Sequence, residues 1–261
     1  MRNRNMVNQP KTMSKAIHTQ KITFTNSQTW EEKKKILVIL AHPDDPEFFC
    51  GATLAKWVEE GHEIQYCLLT HGEKGTNEDF FDVEHIMEIR EREQKEAASI
   101  IGVKNILFLD HPDGFLEVDL DLRKELVKVV RTIRPDIVVS CDPSNYFIKG
   151  ASINHPDHRA AGLAVLEAIF PAVQNHDFFP EFVQEGLSPH HIQELWLSLP
   201  KDANVVLDVT AYWDKKITAL LKHHSQVGNP EEFQDRMKAR GRMVFGKKKY
   251  FEEFHRLIIR K

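Results

Sequence analysis

The chain has 261 residues, a formal net charge of −4, 41% hydrophobic and 28% charged residues. That balance belongs to an ordinary soluble globular protein and argues against a nucleic-acid binder, since no basic stripe interleaved with aromatics runs through it. Cys50, Cys67 and Cys141 are too few and too scattered for a disulfide framework; each sits in or beside an apolar run, as buried thiols do in a reducing, cytoplasmic compartment.

Residues 1–35 are polar and basic, lack the apolar core of a signal peptide, and read as an extension ahead of a single domain spanning 36–261. Lys21–Thr25 is a candidate short strand there, and no stretch of the chain is long enough to span a membrane. Ile36–Ala41 is an unbroken apolar run, the pattern of a strand buried on both faces. His42-Pro-Asp-Asp-Pro46 stops it, and a helix is expected over Pro46–Glu60 with Gly61 ending it. Ile64–Thr70 predicts a second strand, followed by the loop His71-Gly-Glu-Lys-Gly-Thr76. A long helix over Val83–Ile101 should end at Gly102. Strand Ile106–Leu109, the turn at His111–Gly114, helix Leu120–Ile133 and strand Ile137–Cys141 come next. A loop then leads to His155-Pro-Asp-His158 and a helix through Ala172. This alternation predicts an α/β fold, Rossmann-like, with a mostly parallel sheet and helices on both faces. Later, Asp177–His191 reads as a long connection, Leu195–Leu199 and Val205–Val209 as strands, and Trp213–Lys222 as a helix. Gln226–Lys249 reads as a loop plus helix near the mouth of the site, and Phe251–Ile259 closes the chain.

Chemistry concentrates where strands hand over to helices, the place where open α/β sheets bind ligands. His42 and Asp45, three apart at such a corner, can converge on one point, and His158 opens a later helix as a third donor. Two imidazoles and one carboxylate with a position left for water form a catalytic rather than a structural zinc set; another divalent ion such as Fe2+ would also suit it. Asp44, beside a ligand but poorly placed to share the metal, can take a proton from water. His155 lies on the same rim, and Asp157 can orient an imidazole. The plain alternative for Asp45, next to Pro46, is a helix N-cap, although Phe48 stands where a capping box needs Glu or Gln.

Ala41-His-Pro-Asp-Asp45 and His155-Pro-Asp-His158 together resemble the two signatures of the PIG-L/LmbE family of zinc-dependent deacetylases, which act mainly on N-acetylglucosamine compounds. The Gly72-Glu73 loop, the run from Arg90 to Gly102, the Pro112-Asp-Gly114 turn and His223-x-Ser-Gln226 agree with it, so the resemblance covers Ile36 to about Gln226. It implies His42, Asp45 and His158 as zinc ligands and Asp44 as general base. It also implies His155 as the imidazole facing the oxyanion, Asp157 as its partner, and Arg90 as a contact to the sugar. The residues by themselves favour a solvated ion pair of Arg90 with Glu93 or Glu96. The expected substrate is a small sugar amide, and a homo-oligomer is left open. Rival readings are an amidase on a sugar-thiol conjugate, a non-heme Fe(II) oxygenase and a nucleotide-binding module. No G-x-G-x-x-G follows the first motif strand, which speaks against the last.

Overall fold

The computed structural model describes residues 23–25, 30–75, 82–148 and 152–259. Most of the expected extension, with Lys21 and Ile22, lies outside them; Thr23–Thr25 forms strand β1. β2 (Lys35–Leu40) is the strand on which the fold is laid down, with Ile36 to Leu40 wholly buried. Its side chains alternate between two cores. Ile36, Val38 and Leu40 join the layer that contains Trp57, Ala97 and Leu220, while Leu37 and Ile39 join Leu126, Val130 and Val165 on the other face. A strand apolar at every position is therefore what a sheet covered on both sides requires.

Helix α1 (Asp45–Glu59) leads into β3 (Glu63–Thr70), and α2 (Val83–Ile101) into β4 (Asn105–His111). Helix α3 (Leu120–Ile133) leads into β5 (Ile137–Cys141), and α4 is Pro156–Ile169. Gly102 ends α2 at φ 106°, a left-handed conformation that glycine adopts without strain. The strand order in the main sheet is β1, Val205–Asp208, Phe251–Ile258, Glu194–Ser198, β5, β2, β3, β4. Chain order reverses direction between β2 and β5, so a crevice opens at their carboxyl ends, the usual ligand position in such sheets.

Three features go beyond the sequence expectation or depart from it. The closing strand Phe251–Ile258 is antiparallel to both neighbours. Helix α4 stops at Ile169, and a separate 3-10 turn covers Ala172–Gln174. Residues 226–249 form helix Pro230–Ala239 followed by a hairpin pairing Arg242–Val244 with Lys247–Lys249.

Helix α1 is broken at Cys50, whose φ of −144° and ψ of 17° are not helical. A break leaves backbone groups without intrahelical partners, and here two buried side chains take them up. Glu252 accepts from the N–H of Ala52 (3.2 Å) and Thr53 (2.7 Å), while the Lys216 ammonium donates to the Phe48 carbonyl (2.9 Å). Lys216 and Glu252 also pair at 2.6 Å. The first turn of α1 is thus a separate piece, aimed by the last strand.

Helix α4 rests so closely on the end of β5 that a Cβ at Gly162 would run into the Cys141 carbonyl. Gly162→Ala should therefore destabilise the fold by about 1–3 kcal/mol, a drop of several degrees in Tm for a chain of this size. An unchanged melting curve would mean that α4 has room to retreat.

Candidate active site

The carboxyl ends of β2, β3 and β4 and the loop after β5 supply one cavity of about 290 Å³, bordered by His42, Asp44, Asp45, Arg90, Asp113, His155 and His158. Thr70 secures the end of β2: its N–H (2.9 Å) and its hydroxyl (3.0 Å) both donate to the Ala41 carbonyl, immediately before His42.

The Asp45 carboxylate lies between two imidazoles, with Oδ2 3.4 Å from His42 Nδ1 and Oδ1 3.1 Å from His158 Nε2. Donors bonded at roughly 2.0–2.1 Å to one tetrahedral ion sit about 3.3 Å apart, and both of these separations lie near that value. Each imidazole has its far nitrogen held. His42 Nε2 meets Asp113 (3.1 Å) and Asp157 (3.3 Å), and His158 Nδ1 meets the Asn154 amide oxygen (3.0 Å). Such partners fix the ring and its tautomer, leaving the inner nitrogen for a ligand. Two other groupings of possible ligand atoms occur among the described residues, His42 with His155 and His158, and His42 with Asp113 and Asp157. The latter carboxylates are already engaged by backbone N–H groups: Asp113 by Lys74 (2.8 Å), Asp157 by Gly114 (2.7 Å) and Leu116 (3.3 Å).

Burial alone would depress His42, but its carboxylate neighbours Asp113, Asp157 and Asp45 hold it well above the usual histidine value. Burial would likewise raise Asp45, yet His158 and His42 outweigh it and keep the group far below the ordinary carboxylate range. Asp44 is set apart. Burial pushes its carboxyl up to about 6, with Asp45 adding repulsion and Arg90 pulling the other way. Two adjacent carboxyls are driven in opposite directions, one toward permanent ionisation and the other toward proton exchange.

Asp44 also carries a left-handed backbone, φ 91°, unusual for a non-glycine residue. The strain is held from α2. Gln94 accepts from the Asp44 N–H (2.7 Å) and donates to the buried Glu47 (3.0 Å), which also meets His223 (3.3 Å) and Tyr66 (3.2 Å). Arg90 donates to the carbonyls of Gly72 (2.5 Å) and Pro43 (2.7 Å) and lies 3.4 Å from Asp44. The guanidinium fills the space where a side chain at Gly72 or Gly75 would stand.

All seven residues expected from the sequence border or buttress this one cavity. Two details differ. Arg90 is buried, not a solvated ion-pair partner, because residues 223–226 cover that face of α2; Glu93 bonds Ser225 (2.6 Å) and Glu96 meets Lys222 (3.6 Å). Asp157 orients His42 rather than His155, whose Nδ1 instead accepts from the Asp157 N–H (3.3 Å). Asp45 does not cap α1 either; its carboxylate turns back to accept from the His42 N–H (2.9 Å). Sequence reading missed Asp113, Gln94, Glu47 and Asn154 as site residues. Asp113 could have been found from its turn after a strand, and Asn154 from its place just before His155.

Residues 37–169 match the PIG-L family model, described as GlcNAc-PI de-N-acetylase. The chain is 34% identical to the diacetylchitobiose deacetylase of Thermococcus kodakarensis, over 79% of this chain and 75% of that one. It is 30% identical to a probable N-acetyl-alpha-D-glucosaminyl L-malate deacetylase 2 of Bacillus anthracis, over 75% and 83%. The solved N,N'-diacetylchitobiose deacetylase of Pyrococcus horikoshii superposes with a TM-score of 0.78 at 29% identity, covering 86% of this chain and 84% of that one. The matched residues include both halves of the cavity, from His42 to His158, and on these grounds the chain belongs to the PIG-L family.

Proposed function

We propose that this chain hydrolyses the N-acetyl group of an N-acetylglucosamine-containing small molecule with the help of a bound divalent metal. The observation that carries the reading is the division of labour in His42–Asp45: one carboxylate locked between two imidazoles, its neighbour held apart and raised to about 6. Similarity to deacetylases named for diacetylchitobiose supports the substrate class. His42, Asp45 and His158 would hold the ion, with zinc favoured by the mix of nitrogen and oxygen donors. When bound, such an ion polarises an amide carbonyl and makes water acidic near neutral pH.

The protein's own groups carry the protons. Asp44 accepts one from the attacking water and, once protonated, can return it to the leaving amine. His155 has Nδ1 occupied as an acceptor, which leaves Nε2–H to donate toward the tetrahedral oxyanion. Burial and the nearby His42 and His158 lower its basicity, so the neutral ring serves in that role. Asp157 sets the tautomer of His42. Arg90, at the edge of the cavity, contacts the sugar and keeps the Asp44 turn in place. Residues 36–261 act as one domain, a reading supported by Glu252 bracing α1 across nearly the whole chain. A reducing, cytoplasmic setting suits three cysteines that are all free and buried.

Asp44→Asn should retain metal while kcat for acetate release falls at least about a hundredfold. Turnover near that of the wild type would remove Asp44 as the base. In a series of elemental analyses, His158→Ala should lose most of its metal and Asp113→Ala should keep it; the reverse pattern would move the ion to the Asp113 and Asp157 side of His42. Chelation should abolish acetate release from N-acetylglucosamine derivatives, and zinc should restore it.

A further inference from the structure

A second cavity, about 410 Å³, lies beside the first, and Phe48 and Phe49 line both. Phe49 packs edge-on against the His158 ring at 5.0 Å, so the wall between the cavities touches the metal-binding groups. The rest of the second cavity continues along the same edge of the sheet. Phe147 follows β5, Lys201 follows strand Glu194–Ser198, which runs parallel to β5, and Phe251 opens the antiparallel strand beyond it.

The two cavities differ in their charged lining. Asp44, Asp45 and Asp113, together with Arg90, face the first. Lys201, Lys216, Arg240 and Arg242 line the second, against the two carboxylates of Glu252 and Glu253. Lys216 is spent on Glu252 (2.6 Å) and Arg242 on Glu253 (3.1 Å). Among the described residues, neither Lys201 nor Arg240 has a carboxylate within ion-pair distance. Lys201 and Arg240 are both exposed, so an anion entering the cavity can reach them. A cationic pocket attracts an anion, so a molecule whose neutral N-acyl end lies at His42 and Asp45 would have an anionic far end held at Lys201 and Arg240.

We infer that the second cavity receives the group attached to the amino sugar, and that this group is an anion, a carboxylate or a phosphate, held by Lys201 and Arg240 with its carbon skeleton against Phe48 and Phe147. The inference rests on the deacetylase reading and adds the class of substrate.

The test compares the metal-loaded enzyme with its Lys201→Ala/Arg240→Ala double variant. The substrates are the methyl glycoside of N-acetylglucosamine, glycosides of the same sugar ending in a carboxylate or a phosphate, and the neutral disaccharide diacetylchitobiose. Acetate release and calorimetric binding are both recorded. At least one anionic glycoside should exceed the methyl glycoside by about tenfold or more in kcat/KM, mainly through KM, with a matching gain in binding. The double variant should lose most of that gain and leave the methyl glycoside unchanged. Equal kcat/KM for charged and methyl glycosides, a preference that survives in the double variant, or a stronger preference for the neutral disaccharide overturns the inference and leaves deacetylation standing. Release of acetate from none of them overturns the deacetylase reading, and this inference with it.

Discussion

Crowding of negative charge at the end of one buried strand is the constraint that the rest of this structure answers. Asp44, Asp45, Glu47, Asp113 and Asp157 gather around the turn after β2, and all but Asp44 are buried to less than a tenth of their surface. A buried carboxylate is tolerated only when paired or hydrogen-bonded, and each of these has a specific answer. Asp45 has two imidazoles, Asp157 has two backbone N–H groups and His42, Asp113 has His42 and Lys74, and Glu47 has Gln94, Tyr66 and His223. Asp44 has one side-chain partner, Arg90 at 3.4 Å, and burial outweighs it. Its raised pKa is what remains when its neighbours have been satisfied first.

That arrangement needs the first turn of α1 to point independently of the rest of the helix. A continuous helix would carry Asp45, Phe48 and Phe49 in one fixed rotation relative to Leu54 and Trp57 in the core. The break at Cys50 uncouples them. Two buried charges, Lys216 and Glu252, then satisfy the backbone on either side of the break. Losing either partner would strand both an ion and a backbone group, a heavier cost than either loss separately.

Much of this was legible in the sequence because it is local. The apolar run at Ile36, the prolines after it and the glycine stops at Gly61 and Gly102 mark the element borders through steric rules that act within a few residues. The convergence of His42, Asp45 and His158 could be read because two of them share one turn and the third opens a helix. What escaped was long-range. Gln94 and Arg90 reach Asp44 across sequence separations of 50 and 46 residues, and nothing in a helix rich in Glu and Arg distinguishes a buried arginine from a solvated one. The direction of Phe251–Ile258 escaped for another reason. Its pattern of apolar and polar residues is much the same read either way, so pairing partners decide the direction.

The antiparallel closing strand has a consequence for the site. A parallel strand in that position would begin at the amino edge of the sheet, far from the catalytic turn. Running the other way, it starts at the carboxyl edge, where Phe251 and Glu252 stand beside Phe48 and the hairpin before it brings Arg242 to the same rim. The chain therefore divides the carboxyl edge between its two halves. Early segments, bound by the steric logic of successive βα units, bring Asp44, Asp45 and the imidazoles of His42 and His158 together. Late segments, free of that logic, frame the neighbouring cavity and line it with Lys201, Arg240 and Arg242. Lys201, Arg240 and Phe147 line that cavity and do not border the one around His42, so substitutions there leave the carboxylates of the first turn in place.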